Sequence, residues 1–186
     1  MKILTKGLLI LFSSLLLTAC GSLSNPFAGV NDDKVATLQI AEKVKTSDLY
    51  GAWEIASSDE VESKTLDYTY IVLMIPNKSG LLLLTIDDKK AKTFSQYSEF
   101  FTWSFKEKDK VLTMNSFKRK SVENGKEKIE ALKDIDNYDV QVYKAGKDIL
   151  AIRFTGEDGI FTFLKMDDEI YNDFIKDTPE LKPLRR

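Results

Sequence analysis

The chain has 186 residues, 27 of them basic and 29 acidic, with 43% hydrophobic and 30% charged, one cysteine and no histidine. A net charge of −2 supplies no concentrated basic surface of the kind nucleic-acid binders carry, so no nucleic-acid partner is expected. With no histidine and only one thiol, Ser-His-Asp triads, Cys-His dyads, disulfides and Cys/His zinc sets are all excluded, and neither a metal nor a cofactor is expected.

Met1 to Lys6 carries Lys2 and Lys6 and no acid, and Gly7 to Leu17 is apolar except for Ser13 and Ser14. That run of 11 residues falls short of the roughly 20 that a membrane-spanning helix takes. A positive start, a short apolar middle and a small-residue end mark a secretory signal peptide over residues 1–19. The ending Leu17-Thr18-Ala19-Cys20 resembles the bacterial lipobox, where cleavage falls before a cysteine that then receives lipid. The resemblance implies a mature chain that starts at Cys20 and partners the membrane through acyl chains there, placing it in the bacterial cell envelope. Gly21 stands where an aspartate would resemble an inner-membrane retention signal, which leans toward the outer membrane, on its periplasmic or surface face. Without residues 1–19 the chain keeps 167 residues and a net charge of −4, because Lys2 and Lys6 leave with the signal. That is enough for one domain with a substantial core.

Residues 20–30 read as a lipidated tether, kept loose by glycine and serine, with Pro26 blocking regular pairing. Asn31 can cap a helix, Asp32 and Asp33 suit its positive start, and Val35, Leu38, Ala41 and Val44 recur every three residues. The spacing predicts a short helix over residues 31–47. It is read as covering one mouth or edge of a sheet, or as an arm for a partner.

From Tyr50 the apolar period becomes that of strands separated by turn residues. Strands are expected over Tyr50–Ser57, Thr65–Ile75, Leu81–Ile86, Glu99–Phe105, Val111–Phe117, Asn137–Lys144, Asp148–Thr155 and Ile160–Lys165. Pro76-Asn77-Lys78-Ser79-Gly80 reads as a turn, with Gly80 available for positive φ. Lys118 to Asp136 reads as a charged loop with a turn at Glu123-Asn124-Gly125-Lys126 and a short helical turn over Lys126–Lys133. Asp167 to Lys176 is expected to be helical, ending before Thr178-Pro179. The fold class is therefore all-β with two short flanking helices: an antiparallel, up-and-down, eight-stranded barrel over residues 48–178, with 179–186 as a tail. Closure of such a barrel removes the exposed edges that promote aggregation.

Leu49-Tyr50-Gly51-Ala52-Trp53-Glu54-Ile55 resembles the Gly-x-Trp opening of lipocalins and related calycins. The hairpin at Asn77-Lys78-Ser79-Gly80, the aromatic strand with Trp103 and the pairs around Lys110-Val111-Leu112 and Lys147-Asp148-Ile149-Leu150 are similar to bacterial lipocalin-like domains. The resemblance covers Leu49 to Lys165. It implies that Gly51 lets the chain cross the barrel floor while Trp53 plugs it, with Arg153 as the candidate arginine to stack on Trp53. No second lipocalin motif is found.

Strand alternation puts Phe101, Trp103 and Phe105 on one face, and Tyr68, Tyr70, Val72 and Met74 in a similar row. Tyr70, Phe101, Trp103 and Phe105 are the candidate lining for an apolar small molecule or lipid; the same rings equally suit the filled core of a small barrel. Leu81-Leu82-Leu83-Leu84 and Ile71-Val72-Leu73 are apolar on both faces, so their outer face needs a cover: the flanking helices, a partner protein or the membrane surface. Asp134 to Asp139 fails as a calcium loop, with Tyr138 at a ligand position and no glycine at the sixth. Lys118-Arg119-Lys120 reads as an exposed basic run. The acid pairs Asp87-Asp88 and Asp167-Asp168 sit at element ends, where acids serve turns and caps. No catalytic residue is expected. The chain reads as a non-enzymatic, membrane-anchored lipoprotein that binds an apolar ligand, or else as a protein-interaction module serving inhibition, immunity or envelope assembly.

Overall fold

The computed structural model describes residues 35, 37–56, 66–157 and 159–181. The signal segment, Cys20 and the tether lie outside these residues. The elements in order are β1 (Gln39–Ile40), a 3-10 turn (Thr46–Leu49), β2 (Gly51–Ile55), β3 (Leu66–Met74), β4 (Ser79–Asp88), β5 (Thr93–Lys106), β6 (Val111–Glu123), β7 (Lys126–Ala145), β8 (Asp148–Gly156), β9 (Gly159–Lys165), α1 (Asp168–Asp177) and a second 3-10 turn (Pro179–Leu181).

Strands β2 to β9 each pair antiparallel with the next in sequence, and β9 pairs back onto β2, so eight strands close into an up-and-down barrel. This is the architecture expected from the sequence and is consistent with a lipocalin-like fold. β1 adds two residues to β7 through Gln39↔Lys144 and Ile40↔Tyr143.

Two parts of the sequence reading change. The segment Lys118–Asp136 is neither loop nor helical turn but the distal half of β6 and the proximal half of β7. Asn124 and Gly125 both take positive φ, 49° and 76°, as a two-residue hairpin turn requires. The arms alternate half-buried with exposed residues along β7, so the charges ride on strand faces rather than in a loop. Phe117 is the extra residue of a bulge where the β5–β6 and β6–β7 registers shift, which lets the face that holds Met114 and Ser116 continue through Arg119.

The segment expected as a helix before the barrel is helical at Val35 but departs from a helix over residues 37–49. Residues 39–40 form β1 and 46–49 a 3-10 turn. The three-residue spacing served two surfaces instead of one stripe. Val35 and Leu38 pack outside the barrel with Tyr143, Ala151 and Leu164, while Ala41 and Val44 turn into the interior cluster.

The interior is a continuous apolar cluster that includes Trp53, Val72, Met74, Phe101, Trp103, Leu112, Met114, Val142, Ile152, Phe154 and Phe163. A second cluster lies outside the wall, where Ile71, Leu73, Leu81 and Phe100 meet Tyr171, Phe174 and Ile175 of α1 and the fully buried Leu181. Thus the strands that are apolar on both faces are explained. One face fills the barrel and the other is roofed by α1 and the turn after it.

Candidate functional site

Gly51 holds φ at 136°, a backbone conformation open to glycine. Two residues on, Trp53 is fully buried, and its Nε1 donates to the Leu49 carbonyl at 3.0 Å. The cation over the Trp53 ring is Lys165, its Nζ 5.8 Å from the centroid; the two residues are direct partners between β2 and β9. Arg153 is not that cation. It lies over the Tyr143 ring at 5.3 Å, and its Nε donates to Thr162 Oγ1 at 3.1 Å.

The four candidate lining residues all join the interior cluster. Trp103 is held from three sides: its Nε1 donates to the Ser79 carbonyl at 3.0 Å, Tyr50 meets it edge-on at 5.9 Å, and Lys78 Nζ sits 4.0 Å from its ring centroid. Burial holds the Lys78 ammonium below its usual pKa, with Glu107 opposing the shift. Phe101 is wholly buried against Gly80, where a Cβ would lie 2.2 Å from its ring. Gly80 is therefore required by ring contact rather than by positive φ, which falls at Lys78 instead, at 69°. Phe105 packs at the edge of the same cluster. Tyr70 borders an interior cavity, together with Val72, Leu82, Met114, Tyr138, Phe154, Phe161 and Phe163; its volume is about 20 Å³. That is room for about one water molecule, whereas ligand pockets run to several hundred Å³.

A polar cluster that sequence reading missed sits on the same inner face. Glu99 and Arg119 are direct cross-strand partners and are 5% and 4% exposed. Arg119 donates from Nη2 at 2.6 Å and from Nε at 3.1 Å to Glu99 Oε2, and Ser116 Oγ donates to Oε1 at 2.5 Å. Lys118-Arg119-Lys120 is thus no uniform basic run. Arg119 points in, while Lys118 pairs with Glu180 at 3.3 Å and Lys120 with Glu127 at 2.7 Å. Among the described residues no group of three or more acids, cysteines or histidines could hold a metal.

A larger concavity lies outside. A groove of about 390 Å³ runs between α1 and the outer face of β4 and β5, lined by Leu81, Leu83, Gln96, Ser98 and Phe100 on the sheet side. Ile170, Asp173, Phe174, Asp177 and Thr178 line it from the helix side. Sequence reading pointed to a cover over this face but not to the space left beneath it. Further apolar side chains stand exposed on the outer face of β6 and β7, with Phe117 at 48%, Ile129 at 60% and Ile135 at 65%.

No family model matches the chain, and no curated protein or solved structure matches it either.

Proposed function

We propose that this chain is a membrane-anchored envelope lipoprotein, lipocalin-like in fold, whose barrel is a rigid support and whose outer surface binds a partner protein. The observation that carries the reading is the contrast between a small cavity inside the barrel and an open groove outside it. The interior cavity beside Tyr70 has a volume of about 20 Å³, whereas the groove under α1 offers about 390 Å³. Exposed Phe117, Ile129 and Ile135 lie on the outer wall as well, and a partner seated there would bury them. The lipobox-like Leu17-Thr18-Ala19-Cys20 supports the anchor, and Gly21 to Gly29 supports a tether that lets the domain stand off the bilayer. The absence of cysteine and histidine from the mature domain beyond Cys20 supports a non-enzymatic role.

A crosslinked pull-down from native envelopes, with bound lipids identified in the same eluate, tests this. The expected result is a protein partner in stoichiometric amount and no lipid beyond that carried on Cys20. A stoichiometric small apolar ligand with no protein partner would overturn it.

A further inference from the structure

We infer that the groove beneath α1 is the docking site for an extended basic segment of the partner protein, one that alternates lysine or arginine with large apolar residues. This rests on the proposal that the outer surface binds a protein. Its floor is apolar, made by Leu81, Leu83 and Phe100 on the sheet and by Ile170 and Phe174 on the helix. Ile170 remains 39% exposed, so the contact surface is not fully used by the fold itself. The helix wall adds Asp173 and Asp177, both exposed. Neither takes part in an ion pair among the described residues.

The spacing of these acids selects the class of ligand. Residues four apart on a helix hold their Cβ atoms about 5–6 Å apart on one face. Alternate side chains of an extended peptide repeat at about 6.6 Å, so two basic residues separated by one can meet both carboxylates. The intervening side chain then turns away from the helix wall toward the apolar floor. Gln96 and Ser98 at the same floor supply polar side chains for the peptide backbone. With Asp168 and Glu169 in its first turn against Lys176 in its last, α1 keeps a net negative charge. A bulky anionic or wholly polar segment would leave either the acids repelled or the floor wet.

The test uses the acetylated, amidated hexapeptide Lys-Leu-Lys-Leu-Lys-Leu, titrated calorimetrically into the intact protein at low salt. Saturable one-to-one binding is expected, weakened at least tenfold in the Asp173→Asn/Asp177→Asn double variant and absent for the Glu-Leu counterpart. A Lys-Ser alternating peptide should bind at least tenfold more weakly, because the floor then contributes nothing. Equal binding by the double variant, equal binding of the Lys-Ser peptide, or no binding of Lys-Leu at millimolar concentration would overturn the assignment. If the double variant still captures the same protein from envelopes as the wild type, the interaction reading survives and only the groove fails.

Discussion

Glu99 and Arg119 face each other across β5 and β6 inside the barrel, with Arg119 Nη2 and Nε 2.6 and 3.1 Å from the same carboxylate oxygen. A buried pair of this kind is costly to break from one side, since the survivor is left charged and without water. Arg119→Ala or Glu99→Ala should each destabilise the domain by about 3–5 kcal/mol. Replacing the cluster together, as Glu99→Leu/Arg119→Met/Ser116→Ala, should recover most of that loss, because an apolar set of similar volume is often neutral or better and leaves no buried hydroxyl unpaired. Urea unfolding midpoints of the three variants measure this. Single variants within about 1 kcal/mol of wild type would mean that the pair is solvated.

The Trp53 ring is fully buried, and its Nε1 donates to the Leu49 carbonyl. Trp53→Ala should cost about 3–5 kcal/mol through lost burial and the cavity left behind. Arg153→Ala removes a half-buried side chain that lies over Tyr143 and donates to Thr162 Oγ1, and should cost less, about 1–2 kcal/mol. Equal effects of the two in thermal or chemical unfolding would remove Trp53 from its structural role.

The barrel and its strand order were legible because the hairpins are local and their turn residues are strong signals. Asn124-Gly125 was read as a turn, but its arms were missed. Their charge density resembles a loop, and periodicity alone does not show that Lys126, Lys128 and Lys133 belong to a long strand rather than to solvent-facing coil. The inward aromatic row at Phe101, Trp103 and Phe105 followed from alternation. Whether it enclosed space did not, since filling depends on how Gly80 admits the Phe101 ring from a strand away. The Glu99–Arg119 pair was invisible for a different reason. The bulge at Phe117 shifts the face on which Arg119 falls, so simple alternation from Leu112 and Met114 sends it outward.

Glu107 ties the loop between β5 and β6 to the start of the first 3-10 turn, with Thr46 N and Oγ1 both donating to its Oε1 at 2.7 Å. The Thr46 backbone hydrogen bond, followed by that from its side chain, holds the Glu107 carboxyl below its usual pKa. A carboxyl lowered on folding contributes stability above its unfolded value and loses it as pH falls through the lowered one. The Thr46 amide signal in NMR should therefore titrate with a midpoint below the ordinary glutamate range, and Glu107→Gln should abolish that titration. A Thr46 midpoint at or above the ordinary value would contradict the contact.

The anchor is tested apart from the fold. Cys20→Ser should leave the domain folded, since no disulfide involves the chain's one cysteine. The variant should lose lipid and leave the membrane fraction, because two or more acyl chains are what make attachment stable. Mass spectrometry of wild-type protein should find Cys20 as an acylated N-terminus. An unmodified Cys20, or a mature chain starting elsewhere, would overturn the anchoring.

That the working surface lies outside the barrel is tested most directly by titrating the protein with fatty acids from eight to eighteen carbons while following tryptophan fluorescence. Trp53 and Trp103 are the chain's two tryptophans, and both belong to the interior cluster. A ligand that entered the barrel would have to displace side chains packed with them. The expected result is no saturable spectral change and no displacement of a reporter dye at any chain length. A saturable one-to-one change that sharpens with chain length would place a ligand inside the barrel and contradict the reading.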